Sequence, residues 1–121
     1  MNVLAVTGRL TSDPARRDTS KGVVCEFRLA VDGQRRLWLP VVCWGHLAGV
    51  CKKYLYKGRR VAVDGQLQVD EFLGAAGDLR RRWYLRADHV SFDEHPDATA
   101  RTQRGDNADS GDSSEVNADG R

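Results

Sequence analysis

Leu47, Val50, Cys51, Tyr54 and Leu55 recur at i, i+3, i+4, i+7 and i+8, the stripe of one amphipathic helix. Segments with period-two alternation flank that stripe on both sides, which marks them as strands. Residues 2–10 read as a first strand, closed by the turn signal Thr11-Ser12-Asp13-Pro14. Residues 23–31 follow, with Cys25, Phe27, Leu29 and Val31 on one face and Glu26 and Arg28 on the other. Asp32-Gly33 is a hairpin signal. A third strand runs over about residues 36–44. Leu37, Leu39, Val41 and Cys43 point one way, and Trp38, Pro40, Val42 and Trp44 the other. Pro40 cannot donate to a ladder, so it is expected to face away from a neighbouring strand or to sit in a bulge.

Near the helix end, Lys52, Lys53 and Lys57 suit the negative end of its dipole, and Gly58 is a ready C′ residue. A fourth strand over residues 60–69 puts Val61, Val63, Leu67 and Val69 on one face. Its other face carries Arg60, Ala62, Asp64, Gln66 and Gln68. A glycine-bearing loop at 73–78 leads to a fifth strand at about 79–92. Three strands, one helix and two strands are the layout of an OB barrel, an all-β fold with one short helix.

At 121 residues the chain holds one modest core. We expect a barrel domain at residues 1–95 and a short tail at 96–121. Within the tail Val116 is the only large aliphatic residue, a composition that cannot offset its ordering entropy and predicts disorder. The body carries 16 basic and 11 acidic residues, net +5, and the tail 3 and 6, net −3. A basic body suits a polyanionic partner. There is no apolar run long enough to span a bilayer and no signal-peptide pattern, so a cytoplasmic location is expected. The cysteines Cys25, Cys43 and Cys51, spaced by 18 and 8, match no zinc or redox pattern and read as reduced thiols. His46, His89 and His95 form no ligand cluster, and no cofactor motif or catalytic constellation is present, so an enzyme is not expected. Trp38 and Trp44 share a strand face beside Arg35 and Arg36, a combination that can stack unpaired bases and hold phosphates. The same rings could also pack a core or a protein interface. Arg9, Arg28, Arg60 and the run Arg80, Arg81 and Arg82 add further cations for a phosphate backbone.

Asn2-Val3-x-x-x-x-Gly8-Arg9-Leu10-Thr11-x-Asp13-Pro14 resembles the opening of the bacterial single-stranded DNA-binding proteins, the SSB family. So do Phe27-Arg28-Leu29-Ala30-Val31 and Val41-Val42-Cys43-Trp44-Gly45-His46-Leu47-Ala48 in their second and third strands. Tyr54-Leu55-x-Lys57-Gly58-x-Arg60-Val61-x-Val63-x-Gly65-Gln66-Leu67 is similar to the family's helix end and fourth strand. The resemblance covers residues 2–92 and implies an OB fold, usually a homotetramer, that coats single-stranded DNA in replication, recombination or repair, near the nucleoid. It implies stacking on Trp38, Trp44 and Phe72. A further family aromatic, in the loop between the second and third strands, has no counterpart in the short segment 32–36, which predicts a smaller footprint. The family's acidic, apolar-tipped end is also not matched by Glu115-Val116-Asn117-Ala118-Asp119-Gly120-Arg121. Docking of replication proteins through residues 96–121 is therefore not expected, and an accessory or second copy, such as actinobacteria carry, is the reading. Two alternatives stay open: an OB module directed at RNA or a primosome-like accessory, and a protein-interaction domain. Nothing in the sequence reads a 2′-hydroxyl.

Overall fold

The computed structural model describes residues 1–92 and the backbone of Ser114–Asn117. Its elements are β1 (Leu4–Leu10), β2 (Ala15–Thr19), β3 (Gly22–Val31), β4 (Trp38–Trp44), α1 (Gly45–Tyr54), β5 (Arg60–Leu73), β6 (Leu79–Phe92) and β7 (Ser114–Asn117). Hydrogen-bonded neighbours run β1-β5-β6-β4-β3, and β3 pairs back onto β1, so five strands close a ring. This is the five-stranded OB barrel with one short helix. β2 extends the sheet beyond β3, and β7 pairs with β6 through His89, Val90, Ser91 and Phe92. The rest of the tail expected at 96–121, and the boundary at residue 95, lie outside the described residues.

Alternation builds the core. Cys25, Phe27 and Leu29 of β3, Val41 and Cys43 of β4, Val61 and Val63 of β5, and Leu85, Ala87 and Val90 of β6 all point inward and are buried. Leu47, Ala48 and Cys51 of α1 close one end of the barrel. Three thiols meet there: Cys25 lies opposite Cys43 across the β3–β4 ladder, and the Cys43 and Cys51 sulfurs are 3.7 Å apart. All three are free and fully buried. Burial pushes the Cys25 thiol up to about 12, and Cys43 is raised by its hydrogen bond with Cys51 and by burial.

Several elements differ from the sequence expectation, each for a local reason. Residues 15–20 are assigned no element from the sequence, because Arg16, Arg17 and Asp18 carry no apolar alternation; the structure has β2 there. It forms as the outer arm of a tight hairpin in which the Thr19 hydroxyl donates to the Gly22 carbonyl at 2.8 Å and accepts from the Lys21 N–H at 3.1 Å. Leu37 precedes β4 and is exposed instead of facing the core. α1 stops at Tyr54, and Leu55 turns extended (ψ 155) so that its side chain enters the core. Gly58 is therefore not the C′ residue but part of the next turn, where its φ of 90 suits glycine and its N–H donates to the Leu10 carbonyl at 2.8 Å. β5 runs on to Leu73, so β5 and β6 project together as a long hairpin arm. Pro40 lies within β4 opposite Arg28, and parallel pairing with β6 begins one residue later, at Val41.

Candidate functional site

Register assigns one outer facet of the sheet. Across β3–β4, Val24 faces Trp44, Glu26 faces Val42, Arg28 faces Pro40 and Ala30 faces Trp38. Across β4–β6, Val42 lies beside Arg86, so Arg86, Tyr84, Arg82 and Arg80 share that facet by alternation. Across β5–β6, Gln68 faces Tyr84, Asp70 faces Arg82 and Phe72 faces Arg80. β2 adds Arg17 opposite Val24. Trp38, Trp44 and Phe72 thus stand on one surface, with Arg28, Arg80 and Arg82. Trp38 is 52% and Phe72 48% exposed, whereas Trp44 is partly buried at the start of α1. Val24 and Val42 form a buried floor beneath these groups, outside the main core cluster. An open groove of about 830 Å³ is lined by Val69, Asp70, Glu71, Phe72 and Arg82 on the arm.

Electrostatics divide the arginines. Among the described residues Arg28, Arg35, Arg36 and Arg86 have no carboxylate partner, and Arg35 and Arg36 are exposed in the loop entering β4. Glu26 sits inside the facet with Arg17 at 3.1 Å on one oxygen and Arg82 at 3.6 Å on the other. Arg80 is held by Asp78 at 3.0 Å. Three of the arginines expected at the site stand elsewhere. Arg81 alternates to the opposite face of the arm and pairs with Glu71 at 2.9 Å. Arg9 and Arg60 face each other across β1–β5, at the far end of β5 from Phe72. Arg60 is bound to Asp32 at 2.5 Å, and Arg9 donates to the Gly58 carbonyl at 2.9 Å. The Thr7 hydroxyl donates to Asp32 at 2.6 Å and, with Arg60, holds that carboxyl below the usual range.

Sequence reasoning missed Arg17, Tyr84 and Arg86. Arg17 was hidden by the unrecognised β2 strand. Tyr84 and Arg86 depend on the β4–β6 register, which is parallel and non-local. The arm's opposite face exposes Leu67, Val69, Leu73, Leu79 and Trp83, with the Glu71–Arg81 ion pair set among them. Among the described residues there is no group of His, Cys, Asp and Glu fit to hold a metal, and no helix is long and apolar enough to cross a membrane.

The facet presents ring faces between cations over an apolar floor. It can hold a flexible polyanion bearing flat, unpaired rings. Residues 1–93 match the model of the single-strand binding protein family. A single-stranded DNA-binding protein of Caldanaerobacter subterraneus subsp. tengcongensis is 39% identical over 103 residues, covering 76% of this chain and 67% of that one. Single-stranded DNA-binding protein 2 of Clostridium acetobutylicum is 32% identical over 101 residues, covering 76% of each. Single-stranded DNA-binding protein 1 of Chlorobaculum tepidum is 38% identical over 80 residues, and the match spans only 49% of its length.

Proposed function

The chain belongs to the single-strand binding protein family, and from that premise we propose that the facet around Trp38, Trp44 and Phe72 binds single-stranded DNA without sequence preference. Like its family it is a binding protein and not an enzyme. The observation that carries the reading is the placement, on one surface, of three rings drawn from strands distant in sequence, beside unpaired guanidinium groups. Bases stack on the rings, because every base has a π-face, and Arg28, Arg35, Arg36, Arg80 and Arg82 meet phosphates. Arg86 and Arg17 join that set by position. Arg9, Arg60 and Arg81, being engaged elsewhere, contribute to the general field. Duplex DNA offers no free ring faces and competes poorly.

The reading includes assembly as a homotetramer and action near the nucleoid in replication, recombination or repair. The short loop at 32–36 offers less surface to DNA and supports a smaller footprint, and an accessory role is part of the reading. The relatives named above come from other bacterial groups and add nothing toward an actinobacterial origin.

Trp38→Ala, Trp44→Ala and Phe72→Ala are each expected to weaken poly-dT binding by about 1–3 kcal/mol, the value of one base–aromatic stack. Trp44→Ala is also expected to lower Tm, since that ring is partly buried and covers the start of α1. Titration followed by Trp quenching checks this. Wild-type affinity in all three folded variants would refute the stacking surface.

A further inference from the structure

Trp38 and Trp44 belong to β4, Phe72 to β5, and β6 runs between them. A single strand passing from one group to the other must cross β6. Phe72 stands opposite Arg80, four residues out from Tyr84 along β6, or about 13 Å at strand rise. Over that interval Tyr84 is the aromatic side chain on the facet, because Trp83 alternates to the opposite face.

Resting on the single-stranded DNA reading, we propose that Tyr84 is a further stacking residue, a stepping stone that carries the bound strand across β6 between the β4 tryptophans and Phe72. The ring has a cationic neighbour before any ligand arrives. The Arg82 guanidinium lies 5.7 Å from its centroid, and Asp70 stands opposite Arg82 across the β5–β6 ladder. The ring is partly exposed, and among the described residues it makes no contact with another aromatic ring. A partly buried ring loses less freedom than a fully exposed one when a base settles on it. Arg82 and Arg86, on either side of it along the strand, are placed to meet the flanking phosphates. Asp70 would otherwise repel a polyanion. Here it faces Arg82 across the ladder, so its charge is offset by a cation of the same facet.

The test compares Tyr84→Ala, Tyr84→Leu and Tyr84→Phe with Trp38→Ala, all in the full chain, by poly-dT titration. Parallel irradiation of the unmodified protein with a 5-iododeoxyuridine oligonucleotide locates the cross-linked residues. Tyr84→Ala and Tyr84→Leu are expected to weaken binding about tenfold, while Tyr84→Phe, which keeps the ring, stays within about threefold. A cross-link at Tyr84 is expected beside those on the tryptophans. If Trp38→Ala weakens binding but Tyr84→Ala and Tyr84→Leu do not, or if residue 84 stays unlabelled while Trp38 is labelled, the role of Tyr84 is overturned and the binding reading stands. If the unmodified protein does not bind poly-dT, both fall together. The cross-link, made on the parent chain, decides the matter even where a variant fails to fold.

Discussion

Glu26 is a carboxylate set into a surface that otherwise favours anions, and its two oxygens are shared between Arg17 and Arg82. It partly neutralises two cations that phosphates would use, and these pairs are exposed enough to be worth little to folding. Glu26→Gln is therefore expected to tighten poly-dT binding several-fold at low salt. It should also steepen the fall of log K with log salt by about 0.7 for each phosphate gained. Salt-dependent titrations of both proteins check this, and weaker binding by the variant would mean that Glu26 instead holds Arg82 in position. At this scale the sequence was informative where local alternation decides the outcome: Trp38 and Trp44 fall on one face because they are an even number of residues apart. It was silent where neighbours come from another strand. Nothing near Tyr84 says that Val42 lies beside Arg86, and nothing in the run Arg80, Arg81 and Arg82 says which of the three joins the facet until the ladder with β5 is known.

The β5–β6 arm depends on a bulge between Asp64 and Gly65, where β6 inserts Asp88 and the ladder shifts register. A side chain at Gly65 would collide with the Arg86 carbonyl and the Asp88 amide, both backbone groups that cannot step aside. Gly65→Ala is expected to cost about 2 kcal/mol or more, a fall in Tm on the order of 10 °C. Gly49→Ala meets nothing within 4 Å on the helix and is expected to stabilise by about 0.5–1 kcal/mol. Thermal unfolding of the pair separates a backbone requirement from general glycine substitution. The arm also shows why element ends were harder to read than elements. β5 continues past Val69 because Asp70, Glu71 and Phe72 find partners in Arg82, Arg81 and Arg80, a pairing that composition does not announce. β2 was lost for the same reason, since its charged residues are strand-forming only with β3 alongside. The ring itself was legible, because five alternating segments and one helical stripe in that order fit few architectures.

For the whole molecule, two surfaces remain that a lone barrel leaves open. β1 pairs with β5 along most of its length but meets β3 only from Gly8 onward, so among the described residues the β3-side edge of its first residues is open to a second chain. The arm exposes Leu67, Val69, Leu73, Leu79 and Trp83 on a single face. Light scattering on the full chain is expected to give four copies, and on Leu79→Glu a smaller assembly. A monomer for the parent chain would refute the tetramer. The barrel's sealed end has a consequence of another kind. Cys25, Cys43 and Cys51 sit where α1 caps the ring, and Cys25 and Cys43 are held protonated far above neutral pH. Only a thiolate attacks, so a closed barrel is chemically silent. A sulfur modified in the living cell would therefore record a moment when the helix had lifted from β4, so the chain carries its own chronicle of opening.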